Sequence, residues 1–559
     1  MTVSGIDIGV IVVYLVCIVG LGIWAGYRRR VGGEGSHYFL AGNTLTWPVI
    51  GLAMFAANIS TVHLVSLAES AYKYGLVYGN FEWMAGFVLV LLSLFFAPLY
   101  LRSRVPTLPD YLERRFNRNC RDWLAIVSII SAVVIHIGVA LYTAAWVLRG
   151  ILGIAPEATI LGIDPLMFFI ICLGVLTGVY TMIGGLLSVV LTESVQTVLL
   201  LVGAICITVI GYFHVGGWTA LVNILATHPH PMAGLPKSEI TWGTANFLHM
   251  MRFDGDPSGL PWYSILLGYP VLGIWYWCAD QTIVQRVLAA KNEREARLGP
   301  LFCAFIKILP VFFFVLPGVI CVALVQTNYF GGDAPAVAAD TYTFMITRML
   351  PVGLKGLIAA AMLAAAMQTC SAALNSTATL FSYDIYRRWR PMTSDHKLVM
   401  VGKITTVAAT ILAIVLSPIF GHYGTIIEGL NKLISYIAPP ITAVFLFGVF
   451  WRRSSGRAAY VTLVVGAILG LILFVLDWNG WFKANFMMTA FYLLVICSAI
   501  MYVVSRLMPE PLKEEAKALV WENWREPLRG EAHGRGLGNY RVLSVLVLLT
   551  FVVLYYYFR

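Results

Sequence analysis

Ionisable and amide side chains set inside long apolar runs mark where this chain could do chemistry. Glu82 stands just inside one run, His63 lies in another, and Glu193 follows Thr192 in a third. Lys307 sits within LFCAFIKILPVFFFVLPG, and Asn431 and Lys432 share a further run after Glu428. Such groups are costly at membrane depth, so each is a functional candidate. A carboxylate, an imidazole, an ammonium and an amide around one cavity suit a neutral polyhydroxylated ligand, which needs many oriented hydrogen bonds and no net charge. Each residue also has a structural reading. Lys307 could pair with Glu193 or a backbone carbonyl, Glu82 could face outer water, His63 could be satisfied by helix packing, and Lys432 could snorkel to the outer face.

Two segments must position these groups. In GLAMFAANISTVHLVSLAES, the cluster Asn58–His63 falls near the middle of an apolar span. Asn and Ser compete with the backbone for hydrogen bonds, and β-branched residues lose rotamer freedom in a helix. A break at this depth is tolerated where the freed backbone faces protein, water or an ion. The segment is therefore either a discontinuous helix that builds a site or an ordinary helix with a polar stripe. The stretch AAAMQTCSAALNSTATLFSYDIY (364–386) carries Thr369, Ser371, Asn375, Ser376 and Thr377 among small residues. Small residues allow close helix approach, and hydroxyl and carbonyl oxygens are what a hard monovalent cation requires. At Thr369 both readings stand.

The whole chain fits a membrane setting. It has 559 residues, 59% hydrophobic and 12% charged. Apolar runs of helix-spanning length recur, which implies a polytopic all-α membrane protein of about fourteen spans. They lie near 6–27, 46–71, 79–102, 122–150, 163–183, 186–213, 262–284, 298–326, 344–384, 398–419, 424–450, 456–476, 481–505 and 541–558. The net charge of +10 comes from basic clusters between spans, such as Arg28–Arg30, 102–121, 286–297 and 387–397. That pattern is the positive-inside signature, not a nucleic-acid footprint, and it places both termini outside. The nine Cys show no paired spacing, so neither disulfides nor a metal cluster is expected. No nucleophile–base set or phosphate loop is present, so an enzyme is not expected.

A second interruption is expected at Leu267–Gly273, where Gly268, Pro270 and Gly273 weaken the 262–284 span. If the ten spans after the first form two groups of five, the two interruptions occupy corresponding positions, as in secondary transporters. The expected divisions are a leading helix (1–30), a first five-helix group (46–213), an outer loop (214–261), a second group (262–450) and three more helices (456–559). The outer loop contains His228-Pro229-His230-Pro231 and has room for a lid or surface helix. The inner segment 507–540, rich in Pro, Glu, Lys and Arg, suggests an amphipathic surface helix. Trp275, Tyr276 and Trp277, followed by Asp280, Gln281 and Gln285, suggest a stacking surface or gate.

Five stretches together resemble the sodium/solute symporter family, in its sodium/glucose cotransporter branch. They are YFLAGNTLTWPVIGLAMFAANIS (38–60), NFEW (80–83), WYWCADQTIVQRVLAAK (275–291), LNSTATLFSYDIY (374–386) and SYIAPPITAVFLFGVFWRR (435–453). The resemblance implies a five-plus-five inverted repeat of LeuT type and sodium-coupled sugar symport by alternating access across a plasma membrane, or an inner membrane in a bacterium. It implies sugar binding by Asn58, His63, Glu82 and Lys307, with Tyr276 as inner gate and Trp277 beside it. Asn431 falls at a sugar-binding Gln position, while Ala85 and Gly273 replace polar contacts of some members. It implies a sodium site from the backbone oxygens of Ala56, Ile59 and Ala365 with two hydroxyls. Thr369 is one of them, but Gln368 stands where the other belongs. Glu193 stands where the family has Asp near the ion path, and Lys432 replaces a small polar residue. No cofactor beyond sodium is implied, and monomer and homodimer are both open. Gln368 keeps two alternatives in play: a sodium-independent or proton-coupled permease, the latter using Glu193. A membrane sugar sensor signalling through 507–540 is another.

Overall fold

The computed structural model describes residues 4–28, 35–155, 157–228, 247–422, 426–482, 484–529 and 536–559. Arg29, Arg30, Pro229, His230, Pro231 and the first two residues of the 424–450 span lie outside the described residues. Every regular element among the described residues is helical. Eleven helices among the described residues are long and apolar enough to cross a membrane.

The expectation of about fourteen spans departs from this count at identifiable places. The 46–71 segment is two short helices, Trp47–Asn58 and Thr61–Tyr74, neither of which spans alone. The expected spans 163–183 and 186–213 follow one another without a loop in the run Pro165–Val215, divided at Gly185, so they count once among the eleven. At about 1.5 Å per residue it would measure about 77 Å if straight, far beyond a bilayer core. Gly185, non-helical at φ 59° and ψ −156°, separates it into two helices at the boundary expected between the two spans. A Cβ there would lie 2.5 Å from the Tyr38 carbonyl oxygen, so only glycine fits both the backbone and the space.

The first break follows its local chemistry. Ile59 and Ser60 are extended, and Ser60 caps the Thr61–Tyr74 helix in a reciprocal arrangement with His63. The second broken segment differs from expectation. Gly268, Pro270 and Gly273 remain inside a helix, Trp262–Ile274. The chain opens later, through a π-helical turn at Trp275–Ala279 and an extended Asp280, before Gln281–Leu288. The glycine is there for packing: a Cβ on Gly268 would lie 2.4 Å from the Met487 carbonyl oxygen. Pro270 stays within the helix although it withdraws one helical hydrogen bond.

The helix Leu354–Leu380 runs through the centre. Its membrane window is 94% buried, against 22% for the first and last spans. Its alanines, serines and threonines let neighbouring backbones close around it on all sides.

Two further expectations are corrected. The 507–540 segment is not an amphipathic surface helix. Its described part holds two four-residue helices, Glu514–Lys517 and Glu526–Arg529, around a buried Leu519-Val520-Trp521. Trp521 donates its backbone N–H to Val449 O at 3.0 Å and its indole N–H to Phe95 O at 3.0 Å. Tyr111 donates to Leu519 O at 2.8 Å. A large aromatic that can bury its ring and satisfy its N–H outweighs the weak amphipathic pattern around it. Arg286 and Arg297, read as loop charges, are buried: Arg286 pairs with Glu193, and Arg297 with Glu293 at 2.8 Å. Within 214–261, Trp218–Thr227 is a helix, one of the two elements that segment was expected to have room for.

Candidate functional site

The two breaks face a cavity of about 170 Å³, lined among others by Asn58, Ser60, His63, Glu82, His136, Tyr276, Trp277, Lys307, Thr369 and Asn431. Every residue expected to contact a sugar is on that lining. The volume is below the roughly 300–1,000 Å³ of drug-sized sites, which fits a small polar molecule.

Lys307 is delivered by a helix end. The helix Glu293–Ile306 stops at Lys307, three residues before Pro310, which has no N–H to continue the ladder. Its ammonium bonds the Asn58 side-chain oxygen and the Glu82 carboxylate. The Lys307 and Glu82 side chains are 1% and 2% exposed. The pairing of Lys307 with Glu193 is thereby excluded, and so is Glu82 in outer water. A buried pair of opposite charges leaves the cavity electrically neutral while keeping strong donors and acceptors at its wall. The ammonium also lies 5.4 Å from the Trp277 ring centre and 5.6 Å from that of Phe55. This cation–π setting fixes the aromatic belt beside the pair.

His63 is oriented by the cap. The Ser60 backbone N–H donates to His63 Nδ1 at 3.3 Å, and Ser60 Oγ lies 3.0 Å from the same nitrogen. An accepting Nδ1 puts the hydrogen on Nε2, so the free edge of the ring is a donor. Tyr276 packs edge-on against Trp277, their ring centres 5.2 Å apart.

The expected cation ligands adjoin the cavity at Thr369, which is on its lining. Ser60 N–H, the ordinary helical partner of Ala56 O, is bonded to His63 instead. His63 N–H goes to Ser60 O rather than to Ile59 O. Across from them, Thr369 donates its hydroxyl to Ala365 O at 3.3 Å. Thr61, which sequence reasoning passed over, donates to Met362 O at 2.8 Å and ties the first break to the central helix one turn from Ala365. Gln368 turns its amide nitrogen to Glu193 O at 3.4 Å, while its buried side-chain oxygen has no partner among the described residues. These donors are all oxygens, the set a hard monovalent cation takes.

Glu193 pairs with Arg286, and both side chains are fully buried. Arg286 was missed because it belongs to a basic cluster by sequence. Its signal was position, directly after Gln285 in the polar stretch that follows the expected gate. Lys432 reaches Asp477 at 3.4 Å, so its charge is compensated. His136 was also missed, although an imidazole in an apolar run met the same criterion as His63.

Comparison with known proteins adds ancestry to this geometry. A family model described as the sodium:solute symporter family matches residues 38–466. Sodium/glucose cotransporter 2 of Rattus norvegicus is 33% identical over 485 residues, covering 83% of this chain and 71% of that protein. Sodium/myo-inositol cotransporter 2 of Sus scrofa is 32% identical over 496 residues, covering 85% and 71%. Among solved structures, a substrate-bound, outward-open Na+-coupled sialic acid symporter aligns with a TM-score of 0.75 at 22% identity. It covers 91% of this chain and 99% of that one, a likeness of fold. These relatives are transporters, not enzymes.

Proposed function

The chain belongs to the sodium:solute symporter family, and on that premise we propose that it carries a neutral sugar or polyol, a hexose such as glucose or galactose, coupled to sodium by alternating access. The observation that carries this reading is the neutral, polar cavity at two helix breaks, walled by the Lys307–Glu82 pair. Asn58, His63, Glu82, Lys307 and Asn431 supply hydrogen bonds to hydroxyls, and Tyr276 closes the cavity beneath them with Trp277 at its side.

Sodium is held by Ala56, Ile59 and Ala365 carbonyls, Thr369 and the Gln368 amide oxygen. The Gln368 nitrogen is already engaged by Glu193 O, which leaves its oxygen for the cation. The ion draws the first broken helix against the central helix and favours the sugar-competent state. Both ligands prefer that state, so each raises the affinity of the other by one factor. The two groups 46–213 and 262–450 act as the inverted repeats. The setting is a plasma or bacterial inner membrane, with both termini on the outer side.

Gln368 favours one second reading, a sodium-independent permease. A proton-coupled form through Glu193 has less support, because Arg286 already neutralises that carboxylate. The sensor reading loses its motive, since the described part of 507–540 is tucked against Phe95, Tyr111 and Val449.

The test is uptake of labelled glucose, galactose and myo-inositol into proteoliposomes under an inward sodium gradient, then with choline replacing sodium. Concentrative uptake only in sodium supports symport. Equal, equilibrating uptake in both establishes a permease. No uptake of any of the three sinks the sugar reading.

A further inference from the structure

The segment Leu519–Glu522 belongs to neither five-helix group, yet it is bonded to the ends of both. Val449 lies in the last turn of the helix Ile426–Phe450, at the end of the second group. The final carbonyls of a helix have no partner within it. Here two outside donors reach them. Arg115, closing the Leu108–Arg115 helix of the first group, donates its Nε–H to Gly448 O at 2.9 Å. Trp521 donates its backbone N–H to Val449 O at 3.0 Å. The indole N–H of the same residue goes to Phe95 O at 3.0 Å, in a π-helical turn of the first group, Leu92–Phe96. Such turns disturb the regular ladder and give an outside donor access to it.

The contacts around Trp521 repeat this division. Its side chain is buried, and Arg102 of the first group lies 5.2 Å from its ring centre. Leu519 O accepts from Tyr111 of the first group at 2.8 Å, and Glu522 pairs with Arg452, just past the second group, at 2.9 Å. Phe95 and Phe450, one from each group, meet edge to face with ring centres 5.2 Å apart. The flanks of the segment are held elsewhere. Glu510 accepts from Gly456 N–H at 2.7 Å, and Pro527 O accepts from the Tyr540 hydroxyl at 3.3 Å. These are the first residues of the helices Gly456–Trp478 and Tyr540–Tyr557, which belong to neither group.

Two bonds lead from this part of the first group to the chain just past the gate residue Tyr276. Tyr100 donates its hydroxyl to Cys278 O at 2.7 Å, and Leu108 N–H donates to the Gln281 side-chain oxygen at 2.9 Å. Alternating access in folds of this kind is largely a rocking of one part against another around a fixed site. A tie between the two groups on one face resists opening on that face.

We propose that Leu519–Glu522 is a strap across the two groups, on the face that the basic clusters assign to the inside, and that it opposes opening of the cavity to that side. This rests on the reading of 46–213 and 262–450 as repeats that move against each other. Trp521 carries the strap, because its backbone bonds one group and its side chain the other.

The experiment is hydrogen–deuterium exchange, read by mass spectrometry, on the purified full chain in lipid nanodiscs. It compares wild type, Trp521→Phe and Trp521→Ala, with a thermal melt of each, and it needs no transported substrate. The informative region is Gln281–Leu288, which makes none of the strap's bonds. Trp521→Phe keeps a ring and loses the indole bond to Phe95 O. Exchange in 281–288 should then rise about fivefold, the effect of one lost hydrogen bond on an opening equilibrium. Trp521→Ala should raise it further, and the helix Thr61–Tyr74 across the cavity should exchange as in wild type. A rise confined to 92–103 and 445–453 would mean that Trp521 only covers its neighbours, and overturns the strap. So does unchanged exchange in both variants, or an equal rise throughout the chain with a lower melting temperature. The expected exchange pattern in a protein that takes up none of the three sugars would sink the sugar reading and leave the strap standing.

Discussion

Lys307 and Glu82 form an ion pair whose side chains are almost wholly buried, and Asn58 at the end of the first broken helix shares the lysine. One ammonium thus joins three separate segments at the cavity wall. Removing a single partner leaves an uncompensated charge in the interior, at a cost of about 3–5 kcal/mol. Lys307→Met and Glu82→Gln should each lower the melting temperature and abolish sugar uptake. The double variant should regain much of the stability and none of the uptake, because the fold tolerates a neutral pair and the substrate does not. Melting curves and proteoliposome uptake on the four proteins read this out. Uptake near wild-type level in the double variant would remove both residues from the site.

Gln368 stands where the resemblance implies a hydroxyl, and its geometry makes a specific claim. Its nitrogen is held by Glu193 O, and its oxygen is buried without a partner. If that oxygen ligates sodium, Gln368→Leu should raise the sodium concentration for half-maximal uptake roughly tenfold, corresponding to about 1.4 kcal/mol. Gln368→Ser, which restores a hydroxyl, should keep sodium dependence. A sodium titration of uptake decides. An unchanged half-saturation in Gln368→Leu would take Gln368 out of the ion site.

Much of this was legible in the sequence because membrane depth makes polar residues conspicuous. The lining by Asn58, His63, Glu82, Lys307 and Asn431 follows from groups placed where they cost the most. The first break was legible from Asn58 and Ser60, whose side chains compete for backbone hydrogen bonds. The second was misplaced because Gly268 and Pro270 are helix breakers by propensity, while propensity yields to tertiary contact. The break at Asp280 follows a π-helical turn, for which Trp275–Ala279 carries no residue signal. Arg286 was hidden because burial of a charge depends on a partner distant in sequence. Glu193 lies 93 positions away.

The end of the chain braces the site from behind. Tyr555 donates to Asn80 Oδ1 at 2.8 Å, while Asn80 donates to the Val77 and Met250 carbonyls at 2.8 Å each. Asn80 is fully buried, two residues before Glu82. Tyr555→Phe removes one hydroxyl and leaves a buried amide oxygen unpaired, a loss of about 1–3 kcal/mol. A lower melting temperature with intact sugar affinity is the expected outcome. Unaltered stability would mean that the oxygen finds another donor and that the last helix does not brace this wall.

Gly268 separates two physical accounts of the second broken segment. A glycine that loosens a helix is stabilised by alanine, by up to about 1 kcal/mol, because alanine favours the helix. A glycine that admits a neighbouring backbone is not. Its hydrogen faces the Met487 carbonyl oxygen, which a Cβ would approach to 2.4 Å. That contact is with backbone at the start of the Phe486–Leu507 helix, so no side-chain rotation relieves it. Gly268→Ala should therefore destabilise the protein by about 1–3 kcal/mol, the usual cost of overpacking. Met487→Ala, which leaves that backbone in place, should not rescue it. Thermal melts of the two single variants and the double test this. A rise in melting temperature for Gly268→Ala would return the hinge to Leu267–Gly273 and put the opening at Asp280 in question.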